Sequence, residues 1–179
     1  FVQLDDWVGI GPDDAGSCSN FIREKLLKKM SKPFADAFLF DGSQSDIDAQ
    51  LEEQDAFIDR YGPISVEVLG IGMNGHLGFN EDGVDFSLRS HRLSATTKSV
   101  QRKYFSGQDL PLTEGITLGI AQIMESKTVI VIANGKKKAE IVAEAILGPV
   151  TNRVPASVLQ EHPNCIYLLD DEAASLLPA

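Results

Sequence analysis

Apolar runs bounded by turn residues recur along the chain at "FVQL" (1–4), "AFLF" (37–40), "ISVEVL" (64–69), "TVIVIA" (128–133) and "CIYLL" (165–169). Each has the length and the β-branched or aromatic content of a buried strand. Helical patterns lie between them. Ile22, Leu26 and Met30 repeat at four-residue spacing, with Ser19 and Asn20 as candidate caps and Lys25, Lys28 and Lys29 gathered towards the end, so a helix is expected near 20–30. "DIDAQLEEQDAFIDRYGP" places Ile47, Leu51, Ile58 and Tyr61 on one face and stops at Gly62-Pro63. "KKKAEIVAEAIL" repeats the design with Ala139, Val142 and Ile146, stopping at Gly148-Pro149. Strands alternating with helices predict an α/β fold: a mainly parallel sheet with helices on both faces. The expectation is a single domain over residues 1–179. Because the chain opens on Phe1 inside an expected strand, that domain is expected to lack its N-terminal part.

Ligands of such sheets bind beyond the carboxyl ends of the strands, which directs attention to "LDDW", "GIGMNGHLGFNE" and "ANGKKK". Gly70-x-Gly72-x-x-Gly75 has the spacing of a dinucleotide fingerprint, but Gly75, Gly78, Asn80 and Gly83 interrupt the helix that would have to hold the pyrophosphate. No acid stands about twenty residues beyond Gly75 to hold a ribose either; after Asp85 the next is Asp109. What the loop offers is His76, with Glu81 five positions on and able to fold back towards it. A carboxylate on one ring nitrogen fixes the tautomer and leaves the other nitrogen for proton transfer. The plainer reading of a solitary histidine is that it fills or caps the loop.

Asp5 and Asp6 end the first run. Neighbouring strand residues point to opposite faces, so one of the pair enters a given cleft. A partly buried aspartate there suits a base towards a carbon acid, while a helix cap or a solvated turn is the commoner use of two such acids. The third strand end, "NGKKKAEIV", combines Gly135, a helix start and three lysines, which suits a phosphate, although three lysines in a row also make an ordinary solvated face.

Charge and composition narrow the partners. Sixteen basic against 26 acidic residues give a net charge of −10, which argues against nucleic acid or an anionic membrane surface. Cys18 and Cys165 form no C-x-x-C pair, which indicates neither a disulfide framework nor a structural zinc site. No stretch reaches the roughly 18 apolar residues of a membrane helix, so a soluble, cytoplasmic protein is expected.

Taken together, the three strand ends resemble the glucosamine-6-phosphate deaminase family, which includes the galactosamine-6-phosphate deaminase/isomerases. "LDDW" at Leu4–Trp7 is similar to that family's "LDEW" or "MDEY" strand end, "GIGMNGHLGFNE" to its "GxGxxGHxxFNE" loop, Lys138-Ala139 to its strand-to-helix lysine, and "VPASVLQEHPN" to its "S-x-LQ-H" segment. The resemblance implies a Rossmann-like fold. It also implies an N-terminal strand and a glycine- and threonine-rich phosphate loop, which this sequence does not contain. By position it makes Asp5 the base that moves a proton from C2 to C1 of the open-chain sugar, and His76 the group that opens the pyranose. Glu81 becomes the orienting partner of His76, with Asn74 standing where some members carry aspartate. Lys138 becomes a phosphate ligand beside the backbone of Gly75. An arginine that helps bind phosphate falls at Lys103 or Arg102, and Asp82 replaces the proline usual after "FNE".

The resemblance implies an amino-sugar 6-phosphate deaminase/isomerase that binds a small sugar phosphate, needs no metal or nucleotide cofactor, and exists as a monomer or homo-oligomer. Trp7, "GSC" at 16–18 and "GITLG" at 115–119 look more like the galactosamine branch than the glucosamine one. The 6-phosphogluconolactonases share the fold but typically continue "GHTASLFP" where this chain has "GHLGFNE". Non-catalytic sugar-phosphate sensors generally lose part of the acid-base set, which here is complete in Asp5, His76 and Glu81.

Overall fold

A computed structural model describes residues 1–94 and 114–178. The chain divides into two compact units, Phe1–Arg60 with Ser90–Thr117, and Tyr61–Arg89 with Leu118–Ala179.

The first unit holds β1 (Asp5–Trp7), β3 (His91–Ser94) and β4 (Glu114–Thr117) in an antiparallel sheet of order β1-β4-β3. Two helices belong to it, α1 (Cys18–Lys25) and α2 (Ile47–Tyr61). Its core gathers Phe40, Ile47, Leu51 and Ile116, with Val8 and Phe38 packed against them. The expected helix α2 forms where the pattern puts it. Asp46 caps it by accepting from the Ala49 N–H at 3.0 Å, and Gly62 follows its end with a φ of +80°, a conformation an L side chain disfavours.

Two expectations change here. The runs "FVQL" and "AFLF" meet only at a parallel bridge between Val2 and Phe38. The physical reason is Gln3, fully buried between them: its side chain, rather than a backbone carbonyl, accepts from the Phe40 N–H at 3.0 Å and from the Ser19 hydroxyl at 2.7 Å, so the ladder stops. Helix α1 is also shorter than predicted and breaks into a 3₁₀ turn at Leu27–Lys29. Its cap is Ser17, not Ser19 or Asn20; the Ser17 hydroxyl accepts from the Asn20 N–H.

The second unit carries the parallel sheet that the alternation of strands and helices predicts. Strands β2 (Glu67–Gly70), β5 (Val129–Ala133) and β6 (Cys165–Leu169) run in the order β2-β5-β6. With them come α3 (Ile120–Glu125), α4 (Ala139–Leu147) and a 3₁₀ helix at Pro155–Glu161. Leu69, Val129 and Val131 are buried, as are Val142 and Ala145 of α4. On the other face of the sheet Val68, Ile132, Ile166 and Leu168 are exposed. Gln160 holds the 3₁₀ helix to the end of α4 by donating to the carbonyls of Ala145 at 2.8 Å and Gly148 at 3.0 Å. No described helix is long and apolar enough to cross a membrane.

Candidate active site

β2 delivers the chain into the loop 70–81 at its carboxyl end, beside the end of β5, since Gly70 pairs with Ile132. The loop is closed by its own backbone: the Gly72 N–H donates to the His76 carbonyl at 2.9 Å and the Gly75 N–H to the Gly72 carbonyl at 3.1 Å. Two glycines are required by what lies against them. A Cβ on Gly72 would sit 2.3 Å from the His76 ring, and one on Gly75, whose φ is +83°, would sit 2.6 Å from a Val154 methyl. The His76 ring therefore stacks over bare backbone, while the Gly75 carbonyl accepts from the Ala156 N–H at 2.8 Å and ties the loop to the 3₁₀ helix. Beneath it, fully buried Asn80 donates to the carbonyls of Leu77 and Leu118, each at 2.8 Å.

Asn74, His76 and Glu81 come together. The Asn74 amide donates to Glu81 Oε2 at 2.6 Å, and a carboxylate can only accept, so the amide oxygen is the atom that faces the ring. That oxygen lies 2.6 Å from His76 Nδ1, and Glu81 Oε1 lies 3.3 Å from the same nitrogen. With two oxygens around it, Nδ1 carries the proton, and Nε2 of the neutral ring is left as the acceptor. Glu81 does fold back to His76 as the sequence suggests, and Asn74 joins them as the shorter link. The His76 ring, more than the Asn74 amide, holds the Glu81 carboxyl below the usual carboxylate range, against the opposing effect of partial burial.

Lys138, half-buried at the start of α4, donates through Nζ to the Ile71 carbonyl and so links the two strand ends. The backbone N–H groups at "NGKKK" that would receive a phosphate are already engaged: both Asp170 oxygens accept from the Gly135 N–H, at 2.9 and 3.0 Å, and Glu172 accepts from that of Lys136 at 3.2 Å. The chain's own carboxylates fill that anion position, and Lys136 and Lys137 are exposed.

In the first unit, Asp5 and Asp6 divide the work as strand alternation requires. Asp6 is buried and accepts from Trp7 N at 2.8 Å, and from Ser17 Oγ, Cys18 N and Ser19 N, each at 2.9 Å. It is the organiser of the start of α1, and Asp5 is the half-buried member of the pair. Lys103 and Arg102 lie outside the described residues. The Asp170 and Glu172 contacts escape sequence reading because they span 35 and 36 residues. Among the described residues no group of three or more His, Cys, Asp or Glu side chains is gathered as metal ligands would be.

A parallel sheet with a histidine relay at one strand end and a lysine at the next agrees with what the sequence matches. The chain belongs to the family of glucosamine-6-phosphate isomerases/6-phosphogluconolactonase, whose pattern it fits over residues 9–167. It is 41% identical over 178 residues to the glucosamine-6-phosphate deaminase of Ligilactobacillus salivarius (strain UCC118), covering 98% of this chain and 75% of that protein. It is likewise 41% identical over 179 residues to the glucosamine-6-phosphate deaminase of Streptococcus uberis (strain ATCC BAA-854 / 0140J), with the same coverage of 98% and 75%. Among solved structures, a monomeric glucosamine-6-phosphate deaminase superposes with a TM-score of 0.90 at 32% identity, over 98% of this chain and 73% of that one. The 6-phosphogluconolactonase from Trypanosoma cruzi, at 18% identity and a TM-score of 0.74, covers 98% of this chain and 71% of that one and is a likeness of fold alone.

Proposed function

We propose that this chain catalyses the isomerisation and deamination of an amino-sugar 6-phosphate, giving a ketose 6-phosphate and ammonia. The observation that carries the reading is the Asn74–His76–Glu81 relay, which leaves His76 Nε2 as an open proton acceptor at the end of a parallel strand. In this reading Nε2 takes the proton of the anomeric hydroxyl and returns it to the ring oxygen, opening the pyranose to the aldehyde. Asp5, in the role its position in "LDDW" implies, then removes the C2 proton and delivers it to C1. The product is a ketose imine; water adds to its carbon and ammonia leaves. General acids and bases suffice for each transfer. Lys138, with Gly75 at the turn of the loop, serves the phosphate, and Arg102 or Lys103 is assigned to the same group.

Glucosamine 6-phosphate is the favoured substrate, because the relatives at 41% identity carry that activity in their names. Galactosamine 6-phosphate is the second reading, on the features at Trp7, 16–18 and 115–119. The test is ammonia release from each sugar by the purified protein, with the ratio of kcat/KM naming the substrate. His76→Gln should lower turnover by about 10²-fold or more. Unchanged turnover in that variant, or no ammonia from either sugar with a folded protein, would refute the assignment.

A further inference from the structure

The register of the parallel sheet brings one carboxylate to the turn that carries Lys138, and the proposed mechanism leaves that carboxylate unused. β5 and β6 end together, Ala133 opposite Leu169, so Asp170 follows the end of β6 where Gly135 follows the end of β5. Both Asp170 oxygens accept from the Gly135 N–H, and Oδ1 also accepts from the Ala173 N–H at 2.8 Å. Ala173 is fully buried and the Ala174 N–H donates to the Asp170 carbonyl at 3.0 Å, so the carboxylate is held within its own turn. On the far side of Gly135, its carbonyl accepts from the Lys138 N–H at 2.9 Å and closes the 3₁₀ turn from which the lysine reaches the Ile71 carbonyl. We propose that Asp170 is a positioning residue for Lys138: its carboxylate fixes the Gly135 backbone and, through that turn, the place from which the Lys138 ammonium meets a sugar phosphate.

Gly135 is where a hold from outside is needed. Its φ of +82° and ψ of 150° lie in a region that is essentially glycine's alone, and a glycine is free to leave it. A Cβ there would meet nothing within 4 Å, so crowding does not impose the conformation; the hydrogen bonds on the two sides of the residue hold it. An N–H bonded to a carboxylate is held more strongly than one bonded to a neutral acceptor. Glu172 adds a bond of the same kind to the Lys136 N–H one residue further on, at 3.2 Å. A carboxylate that merely competed with phosphate for these N–H groups would have the opposite effect: removing a rival frees donors and tightens phosphate binding, whereas removing a support weakens it. Asp170 is tied to the Ala173 N–H as well, which a displaceable rival would have to give up, so the geometry favours the support.

The inference rests on the reading of Lys138 as a phosphate ligand, and the experiment separates the two. kcat and KM for ammonia release from glucosamine 6-phosphate are measured in wild type, Asp170→Ala, Asp170→Asn, Lys138→Met and the double variant that joins Asp170→Ala to Lys138→Met. Asp170→Ala should raise KM by about tenfold with kcat nearly constant, the pattern of a lost binding contact and not of a lost chemical step. Asp170→Asn keeps one acceptor oxygen but turns a donor towards Gly135 in place of the other, and should raise KM by about threefold. In the Lys138→Met background, where KM is already raised, Asp170→Ala should add little, because both changes remove one interaction. No ammonia release by wild type, or a KM unchanged in Lys138→Met, overturns the phosphate reading and this inference with it. A raised KM in Lys138→Met, with KM unchanged or lowered in Asp170→Ala, overturns the role of Asp170 alone. An equal rise from Asp170→Ala in both backgrounds does the same, since it marks a loss of structure that does not act through the lysine. Should Asp170→Ala fail to fold, Asp170→Asn takes its place in both backgrounds, and a KM that it leaves unmoved refutes the positioning role.

Discussion

Glu67 opens β2 with 7% of its surface exposed, and its Oε2 accepts from the Ser126 hydroxyl at 3.0 Å. That single hydroxyl does not offset the loss of hydration, and burial pushes its carboxyl from 4.5 up to about 7. A group whose acid is weaker in the folded state binds its proton more tightly there than in the unfolded chain. Folding is then favoured most where the carboxyl is protonated in both states, below 4.5, and this contribution is lost as pH rises towards about 7. A shift of this size corresponds to about 3 kcal/mol, at 1.36 kcal/mol per unit. Glu67→Gln keeps the shape and an acceptor for Ser126 but never ionises. Urea unfolding followed by circular dichroism should find the variant more stable than wild type by about 3 kcal/mol near pH 8, and nearly equal to it near pH 4.5. A difference that does not change with pH, or a variant less stable at both ends, would show that the buried carboxylate is compensated and would refute the reasoning.

Asn74→Ala should lower kcat by about tenfold with KM little changed, because Nδ1 would keep only the longer Glu81 contact, and steady-state kinetics on the amino-sugar phosphate checks this. Gly75→Ala should destabilise by about 2 kcal/mol or more, since it combines a φ of +83° with a Cβ 2.6 Å from Val154, and a drop in thermal midpoint would report it. Asp6→Ala should cost about 3 kcal/mol in urea unfolding, because the Ser17 hydroxyl and the N–H groups of Cys18 and Ser19 lose their shared acceptor.

Much of this is readable from the sequence wherever the physics is local. Helices α2 and α4 follow from apolar spacing and from their Gly-Pro stops, and β5 and β6 from uninterrupted apolar runs. The approach of Glu81 to His76 is readable too, because both sit within one loop, whereas the Asn74 amide that links them shows only in the folded loop. What escapes has distant causes. Gln3 breaks a strand pattern by reaching across 37 residues to Phe40. Strands β3 and β4 are four residues each, too short and too polar to show a period of two. Lys138 finds the Ile71 carbonyl across 67 residues, and nothing in "KKKA" announces it. The buried Glu67 looks from sequence like an interruption of "ISVEVL", and its effect on ionisation emerges only once the sheet closes over it.

The relay is closed inside a single short turn, from Asn74 to Glu81. Ordering so few residues carries a small loop-closure cost, so the contacts among Asn74, His76 and Glu81 are not at the mercy of slow, long-range pairings. In evolutionary terms it is a cassette. A dozen consecutive codons carry it whole, and substitutions elsewhere in the gene can retune stability or the choice of sugar while the tautomer of one histidine is inherited unchanged.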